Sequence, residues 1–215
     1  MLTAGKGQFL KEIKDELNDF HITHGVLNSV DFGDPQDRSR AFLIGSKIGP
    51  ISMPEPVVES PRTVYYAFEG LTAATPNQED FSKSKKGTIK RMELVPQGGN
   101  WQDLPDHLKT NSMLKGSTQS NVYKRLKWNQ PSCTIVNPRK CLLTHPDEHR
   151  ILSVRECARL FSIPDDFVFK GSLDSMQQQI ANSTHVRMVS AVVQKVKEVI
   201  LSFNALIKRR SFSLV

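Results

Sequence analysis

The stretch VLNSVDFGDPQDRSRAFLIGS, from Val26 to Ser46, decides the fold of this chain. It continues a β-branched run that starts at His21, reaches a Gly-Asp-Pro turn at residues 33–35, and resumes as the apolar run RAFLIGS at residues 40–46. Alternating and β-branched residues bounded by Gly and Pro are typical of strands. The sequence therefore predicts two strands, over 21–33 and 40–46, on either side of a tight polar turn.

Two arginines, Arg38 and Arg40, lie in this turn. Residues two apart in an extended chain point to the same side, so the two guanidinium groups would lie side by side. A guanidinium offers a fixed fork of donors that matches a phosphate or a carbonyl edge. The pair predicts a contact with a DNA backbone or with a base held in a pocket. The alternative is two solvated charges at the start of a strand.

Helical patterns lie on both sides of this segment. Residues 7–20 predict an amphipathic helix that packs on another surface through Phe9, Leu10, Ile13, Leu17 and Phe20. Ser153 and Glu156 have the spacing of a capping box, which predicts a helix over SVRECARLFS that ends before Pro164. Residues 175–203 predict one long terminal helix, docked through a face formed by Val186, Val189, Val193, Val196 and Ile200.

The middle of the chain is rich in proline and then in positive charge. Prolines at positions 50, 54, 56, 61 and 76 predict an irregular stretch and a domain boundary. Residues 81–130 contain ten Lys or Arg against three acids. The densest run predicts contacts with DNA phosphates, or alternatively a solvated loop: Lys83, Lys85, Lys86, Lys90 and Arg91. The segment SCTIV at 132–136 predicts a further strand.

The composition indicates the kind of partner, the location and the cysteine chemistry to expect. The chain has 215 residues, a net charge of +7 and a pI near 9.4, which favours a polyanionic partner and also fits a merely basic protein. The sequence has no apolar run of about 18 residues and no signal-peptide start, which predicts a cytoplasmic, nucleoid-associated location without a membrane anchor. Cys133, Cys141 and Cys157 form no CxxC pair, so neither a disulfide framework nor a metal site is predicted.

Three segments, in order, resemble the motifs of the DNA cytosine-5-methyltransferases. VLNSVDFGDPQDRSRAFLIGS resembles the eighth motif of that family, in which Pro-Gln-x-Arg-x-Arg stands between two apolar strands. YKRLKWNQPSCTI, followed by HPDEHRILSVRECARLFSIPDDFVFKGS, is similar to the ninth motif. QQQIANSTHVRMVSAVVQKV resembles the tenth, usually written Gln-x-Gly-Asn-x-Val-Pro. The resemblance covers most of the chain outside about 51–120.

This resemblance implies a fold and a set of partners. The fold is α/β: the C-terminal portion of a Rossmann-like methyltransferase domain that uses S-adenosylmethionine, with an inserted small irregular and β target-recognition domain. Residues 1–52 would end the catalytic domain, 53–150 would form the target-recognition domain, and 151–215 would carry the ninth-motif helix and the terminal helix. The implied partners are double-stranded DNA and an N-terminal methyltransferase subunit supplied in trans.

The resemblance also implies roles for the residues that match its motifs. Gln36 would support the turn, while Arg38 and Arg40 would reach the target site, with Arg40 nearest the flipped cytosine. Arg155 and Glu156 would form an internal ion pair with a structural role.

Asn182 and Ser183 match the residues of the tenth motif that help to bind S-adenosylmethionine. Ala181 stands where the family has Gly, and Thr184-His185 where it has Val-Pro. Without the resemblance, an Asn-Ser pair at the start of a helix is an N-cap.

The nucleophile that the family uses is not found in the sequence. The family adds the Cys of a Pro-Cys-Gln loop to the cytosine ring, helped by the Glu of a Glu-Asn-Val segment, and neither tripeptide occurs in the 215 residues. The opening MLTAGKGQFLKEI resembles the residues that follow Glu-Asn-Val in full-length relatives.

Two explanations fit this pattern: a split enzyme whose other polypeptide supplies the donor site, the Cys and the Glu, or an inactive remnant. A DNA-binding protein without catalysis is the alternative from another class, and a structural interaction module ranks last.

Overall fold

The structure is a computed structural model that describes residues 7–135 and 142–212, and the side chains up to residue 209. The strands are β1 (His21–Asn28) and β2 (Ser39–Ser46). The helices are α1 (Gln8–Glu16), α2 (Val64–Phe68), α3 (Lys86–Leu94), α4 (Asn111–Leu114), α5 (Val154–Leu160), α6 (Leu173–Asn182) and α7 (Val186–Phe212). Short 3-10 helices occupy Ser29–Phe32, Trp101–Asp103 and Asp106–Leu108.

The predicted pair of strands is confirmed. β1 and β2 pair antiparallel, with Asn28 opposite Ser39 at the end that carries the turn. The first strand ends at Asn28 rather than at residue 33, because the Asn28 side-chain oxygen accepts hydrogen bonds from the backbone N–H groups of Val30 and Arg38. Gly33 then takes a φ of 84°, a left-handed conformation that favours glycine.

The helix predicted from the capping box is also confirmed. The hydroxyl of Ser153 accepts from the backbone N–H of Glu156 at 3.0 Å, and the Glu156 carboxylate accepts from the Ser153 N–H at 2.8 Å. Every residue of α5 except Arg159 is buried. The main core surrounds this helix and includes Val64, Phe68, Leu126, Ile135, Leu152, Phe161, Phe169 and Ile180.

The prediction of a single helix over 175–203 is wrong, because the helical structure is interrupted between Asn182 and Val186. Ser183 is extended, with φ −68° and ψ 155°, and its hydroxyl donates to the backbone oxygen of Gln179 at 2.8 Å. A serine hydroxyl that bonds back to the preceding turn competes with continued helix formation. Two helices, α6 and α7, therefore replace the predicted one.

The predicted docking face of the terminal helix is also wrong. Met188 and Val192 are 0% and 8% exposed, and they pack in a cluster with Leu27 of β1. Val193 and Ile200 of the predicted valine face are 56% and 43% exposed. Neighbouring positions on a helix lie about 100° apart, so the two stripes face different directions.

The remaining apolar predictions are met in part. Helix α1 is present, but none of its residues is buried within the described part of the chain, and Phe9 is 48% exposed. The predicted strand at 132–136 is wrong for residues 132–135: Ser132 makes one isolated parallel bridge with Gln36. The backbone of Ile135 bonds to side chains of the turn instead of to a strand.

Residues 53–150, predicted to form the target-recognition domain with irregular and β structure, are mostly irregular in their described part and carry α2, α3 and α4. Within its described residues, β structure is limited to isolated bridges. Arg125 holds this segment together from within, since its buried guanidinium donates to the carbonyl oxygens of Val95 and His145 at 2.7 Å each. A second core lies here, formed by Met92, Val95, Trp101, Leu104, Met113, Tyr123 and Ile151. In the described ranges, no helix combines the length and apolar character that a membrane span requires.

We expect Met188→Ala to lower the free energy of unfolding by about 2–5 kcal/mol, because it opens a cavity where α7 meets the β1 turn. Val193→Ala, one helical position beyond Val192 and exposed, should change it by no more than about 0.5 kcal/mol. Urea unfolding followed by circular dichroism measures both. Equal losses in the two variants would contradict the docking face described above.

Candidate functional site

The turn between β1 and β2 is anchored to the start of the terminal helix. Asp34 is fully buried, and its carboxylate accepts the backbone N–H of Met188 at 3.1 Å. Burial raises the pKa of Asp34, while the Ser162 hydroxyl and the helix N–H groups oppose that rise. A carboxylate is stabilised at a helix N-terminus, so this contact fixes the turn against α7.

Gln36 reaches across from the turn to the segment that follows residue 131. It is fully buried, bridges Ser132, and accepts the N–H of Ile135 at 3.5 Å. Its side-chain nitrogen has no hydrogen-bond partner among the described residues. Its role as support of the turn stays a prediction, to which the structure adds a link between two distant segments.

Arg38 is buried rather than solvated. It is 8% exposed, and its guanidinium donates to the backbone oxygen of Ile135 at 2.5 Å. The guanidinium carbon lies 5.8 Å from the centre of the Phe161 ring, close enough for a cation–π contact. Its Nε is buried and has no hydrogen-bond partner among the described residues.

Arg40 lies in β2 and is partly exposed; within the described ranges its guanidinium donates to the neighbouring Ser39 oxygen at 3.1 Å. It lies near His185, which is 0% exposed and stacks on Phe161 with ring centres 4.6 Å apart. Burial, and then the charge of Arg40, lowers the pKa of His185 to about 4. The two arginines therefore lie beside one buried aromatic pair. His185 was missed in the sequence, where its only signal is that it replaces a Pro of the tenth motif.

The predicted ion pair between Arg155 and Glu156 is wrong. The Arg155 guanidinium donates to the backbone oxygens of Pro164 and Phe167 at 2.9 and 2.7 Å. Glu156 bonds instead to Arg150 at 2.7 Å. Consecutive residues of a helix point about 100° apart, so two neighbours cannot face each other. Each group ties α5 to a different segment, which agrees with a scaffold role.

Asn182 and Ser183 line a cavity of about 540 Å³ together with Phe167, Phe169 and Val186. Asn182 is the last residue of α6 and Ser183 its C-cap, so the N-cap interpretation of this pair is wrong. Both polar side chains thus stand at the wall of a mostly apolar cavity.

The run of basic residues lies at the start of α3. Lys83, Lys85, Lys86 and Lys90 are exposed, whereas Arg91 donates to the backbone oxygen of Leu108 at 2.7 Å. Four of the five predicted phosphate contacts are therefore open to solvent, and the fifth makes an internal bond.

Two further lysines were not singled out in the sequence. Lys124 and Lys127 line a cleft of about 240 Å³ with Asp37 of the turn. The cleft lies between the arginine turn and the recognition segment. These positions could not be selected from the charge count alone, because they are scattered among ten basic residues in 81–130.

The described cysteines are unsuited to nucleophilic chemistry. Cys157 is buried in α5, and burial raises the pKa of its thiol. Cys133 is partly buried, and Cys141 lies outside the described residues. In the part of the chain that the structure describes, no group of three His, Cys, Asp or Glu side chains could hold a metal ion.

The profile of C-5 cytosine-specific DNA methylases matches residues 1–198. The chain therefore belongs to the C-5 cytosine-specific DNA methylase family.

Curated relatives agree with this assignment. The chain is 32% identical over 207 residues to the type II methyltransferase M1.HphI of Haemophilus parahaemolyticus, covering 91% of this chain and 54% of the relative. It is 32% identical over 200 residues to M.NgoFVII of Neisseria gonorrhoeae, covering 85% and 52%. The chain thus spans about half the length of the curated relatives it matches.

A solved structure shows the same fold. A proposed DNA modification methyltransferase encoded within a prophage of E. coli matches with a TM-score of 0.69 at 19% identity, covering 93% of this chain and 67% of that one. The mixed α/β methyltransferase fold predicted from the sequence is therefore confirmed.

We expect acid to destabilise the fold through His185. Its pKa is about 4 in the folded chain against 6.5 as the ordinary value, so between these pH values the unfolded chain binds the proton and the folded chain does not. The free energy of unfolding should fall by up to about 3 kcal/mol as the pH drops through this window. His185→Phe keeps the stacked ring, and the loss specific to His185 should vanish. Chemical unfolding at several pH values, wild type against variant, measures the difference, and parallel pH curves would contradict it.

Proposed function

We propose that this chain is the C-terminal part of a DNA cytosine-5-methyltransferase. In this proposal it contributes target recognition and part of the active site for methyl transfer from S-adenosylmethionine to cytosine in DNA, at a nucleoid-associated location. The observation that carries the proposal is the turn at residues 34–40. The turn is anchored to the start of α7 through Asp34, and Arg38 is bonded to the Ile135 backbone. Arg40 is partly exposed and has no carboxylate partner among the described residues.

Arg40 binds the flipped cytosine in this proposal. A guanidinium can donate to the carbonyl oxygen of the ring, and it stabilises negative charge that develops there when a nucleophile adds. Preorganised donors act without reorganising during the reaction, which fits an arginine on a strand. Arg38 keeps the turn in place through Ile135 and Phe161.

Asn182 and Ser183 would hold part of the methyl donor. The cavity that they line offers aromatic and aliphatic walls with two polar side chains at one edge, which fits a ligand with both apolar and hydrogen-bonding parts. S-adenosylmethionine supplies the methyl group when it is bound. Most of its contacts would come from the other half of the enzyme.

The DNA backbone would be held by lysines of the recognition segment. Lys83, Lys85, Lys86 and Lys90 are exposed on and beside α3. Phosphate contacts of this kind give affinity that falls with salt and carry no sequence information. The positive charge of the chain supports a polyanionic partner, and Arg91 contributes by ordering the helix rather than by a phosphate contact.

We further propose that an N-terminal methyltransferase subunit supplies the nucleophilic Cys, the Glu and the main donor site in trans. Support comes from the absence of Pro-Cys-Gln and Glu-Asn-Val in the sequence and from the half-length match to the relatives. Exposed apolar side chains offer a surface for such a partner: Phe9, Val26, Val193, Ile200, Leu201, Leu206 and Ile207. The alternative is an inactive remnant or a DNA-binding protein without catalysis.

We expect tritiated methyl transfer to unmethylated DNA only when this chain is mixed with a polypeptide that carries the N-terminal half. Arg40→Ala in the mixture should reduce transfer at least about a hundredfold, since it removes a charged donor from the developing charge. Lys170→Ala removes one exposed positive charge outside the site and is the matched control.

Transfer by this chain alone would disprove the assignment of the nucleophile to another chain. If no mixture transfers methyl groups but DNA binding is retained, the result would favour an inactive remnant or a DNA-binding protein without catalysis. Full activity of the Arg40→Ala variant would contradict the proposed role of Arg40 in binding the cytosine.

A further inference from the structure

A second cavity, of about 420 Å³, lies in the recognition segment and has no role in the site above. It is lined by Tyr65, Phe68, Glu69, Trp128 and Asp147. These residues come from α2, from the chain after residue 127 and from the loop before α5, so no single sequence motif marks them. The volume falls in the range of small-ligand pockets, about 300–1,000 Å³.

The walls of this aromatic pocket are rings set at right angles. Trp128 meets Tyr65 at 76° and Phe68 at 88°, with ring centres 6.2 and 5.9 Å apart. His145 supports Trp128 from the buried side, at 5.3 Å. Tyr65 is 59% exposed, so part of its ring is accessible to a flat ligand.

Two carboxylates stand beside these rings. The Asp147 oxygens accept one hydrogen bond each, from the side chains of Trp128 and Gln97, both at 2.9 Å. A carboxylate oxygen has two lone-pair sites, so the group can accept further donors. Glu69 lines the same cavity and is exposed. The pocket therefore selects a flat ligand that donates hydrogen bonds, and it repels a phosphate.

The pocket adjoins the lysine cleft. Trp128 directly follows Lys127, whose aliphatic stem crosses Gly98; a Cβ at Gly98 would lie 2.2 Å from the Lys127 Cε. Lys124 and Lys127 line that cleft. These ammonium groups would attract the phosphates on either side of a nucleotide and repel a free organic cation. The combination of an aromatic wall, hydrogen-bond acceptors and neighbouring lysines matches one nucleotide.

We propose that the aromatic pocket binds one unpaired nucleobase of DNA that carries an exocyclic amino group, cytosine or adenine. The base stacks on Tyr65 with its edge towards Trp128, its amino group donates to Asp147 and Glu69, and Lys124 and Lys127 hold the adjoining phosphates. Carboxylates accept from the amino group of cytosine, and aromatic side chains stack on any base. The pocket is separate from the cytosine site at Arg40, and its role rests on the proposed function in binding DNA.

The test uses the full chain and short single-stranded oligonucleotides, (dC)5, (dA)5 and (dT)5, with a fluorescent label for anisotropy. Thymine has the size of cytosine but no exocyclic amino group, so it is the matched ligand control. We expect (dC)5 and (dA)5 to bind about tenfold more tightly than (dT)5 and to quench Trp128 fluorescence, with Trp101→Phe removing the other tryptophan.

Two sets of variants distinguish the contribution of ring stacking from the preference for particular bases. Tyr65→Ala should weaken binding of all three oligonucleotides about tenfold, while Tyr65→Phe keeps the ring and the affinity. The double change Glu69→Gln and Asp147→Asn should remove the preference for (dC)5 over (dT)5. The Tyr65 side chain is mostly exposed, so an unchanged circular dichroism spectrum is expected for both Tyr65 variants.

Equal affinity for the three oligonucleotides, or wild-type affinity in Tyr65→Ala, would contradict the proposal that the aromatic pocket binds a base. If the chain still binds duplex DNA in that case, the proposed function stands. Quenching by tetramethylammonium with no response to oligonucleotides would show a cation site and overturn the proposal. No binding of any DNA would overturn both the pocket and the proposed function.

Discussion

One hydrogen bond joins parts of the chain that are 154 positions apart: the Asp34 carboxylate accepts the N–H of Met188. A buried carboxylate is costly unless it is hydrogen-bonded, and the first turn of α7 provides donors and a favourable dipole for it. This contact closes the β1–β2 turn onto the terminal helix. The positions of Arg38, Arg40 and His185 all depend on that closure, since each lies within a few residues of one of its ends.

The sequence was sufficient to predict the elements that depend on residues close to each other along the chain. The strand pair closes through a short turn and the capping box of α5 spans four residues; both were predicted, although the first strand ends at Asn28 instead of residue 33. The break at Ser183 and the docking of Met188 depend on contacts with β1 and its turn, so hydrophobic spacing alone selected one helix with the wrong face. The predicted pairing of Arg155 with Glu156 ignored helix geometry, which directs adjacent side chains apart.

The candidate site likewise has a part that the sequence predicts and a part that depends on contacts between distant segments. The arginine turn could be found because Arg38 and Arg40 are two positions apart in one motif. The residues that surround them come from distant segments: Ile135 reaches Arg38, and Phe161 stacks on His185. The aromatic pocket combines positions 65, 128 and 147, which no periodic pattern connects. The roles of the individual arginines and lysines remain predictions.

The sheet within the described residues has two strands, and it therefore has two outer edges. Each edge of such a ribbon presents a row of unpaired N–H and C=O groups to any strand of suitable sequence. An isolated two-stranded hairpin is also marginally stable in water. A further strand of suitable sequence can therefore extend this sheet through backbone hydrogen bonds alone, without any change in the pairing of β1 with β2.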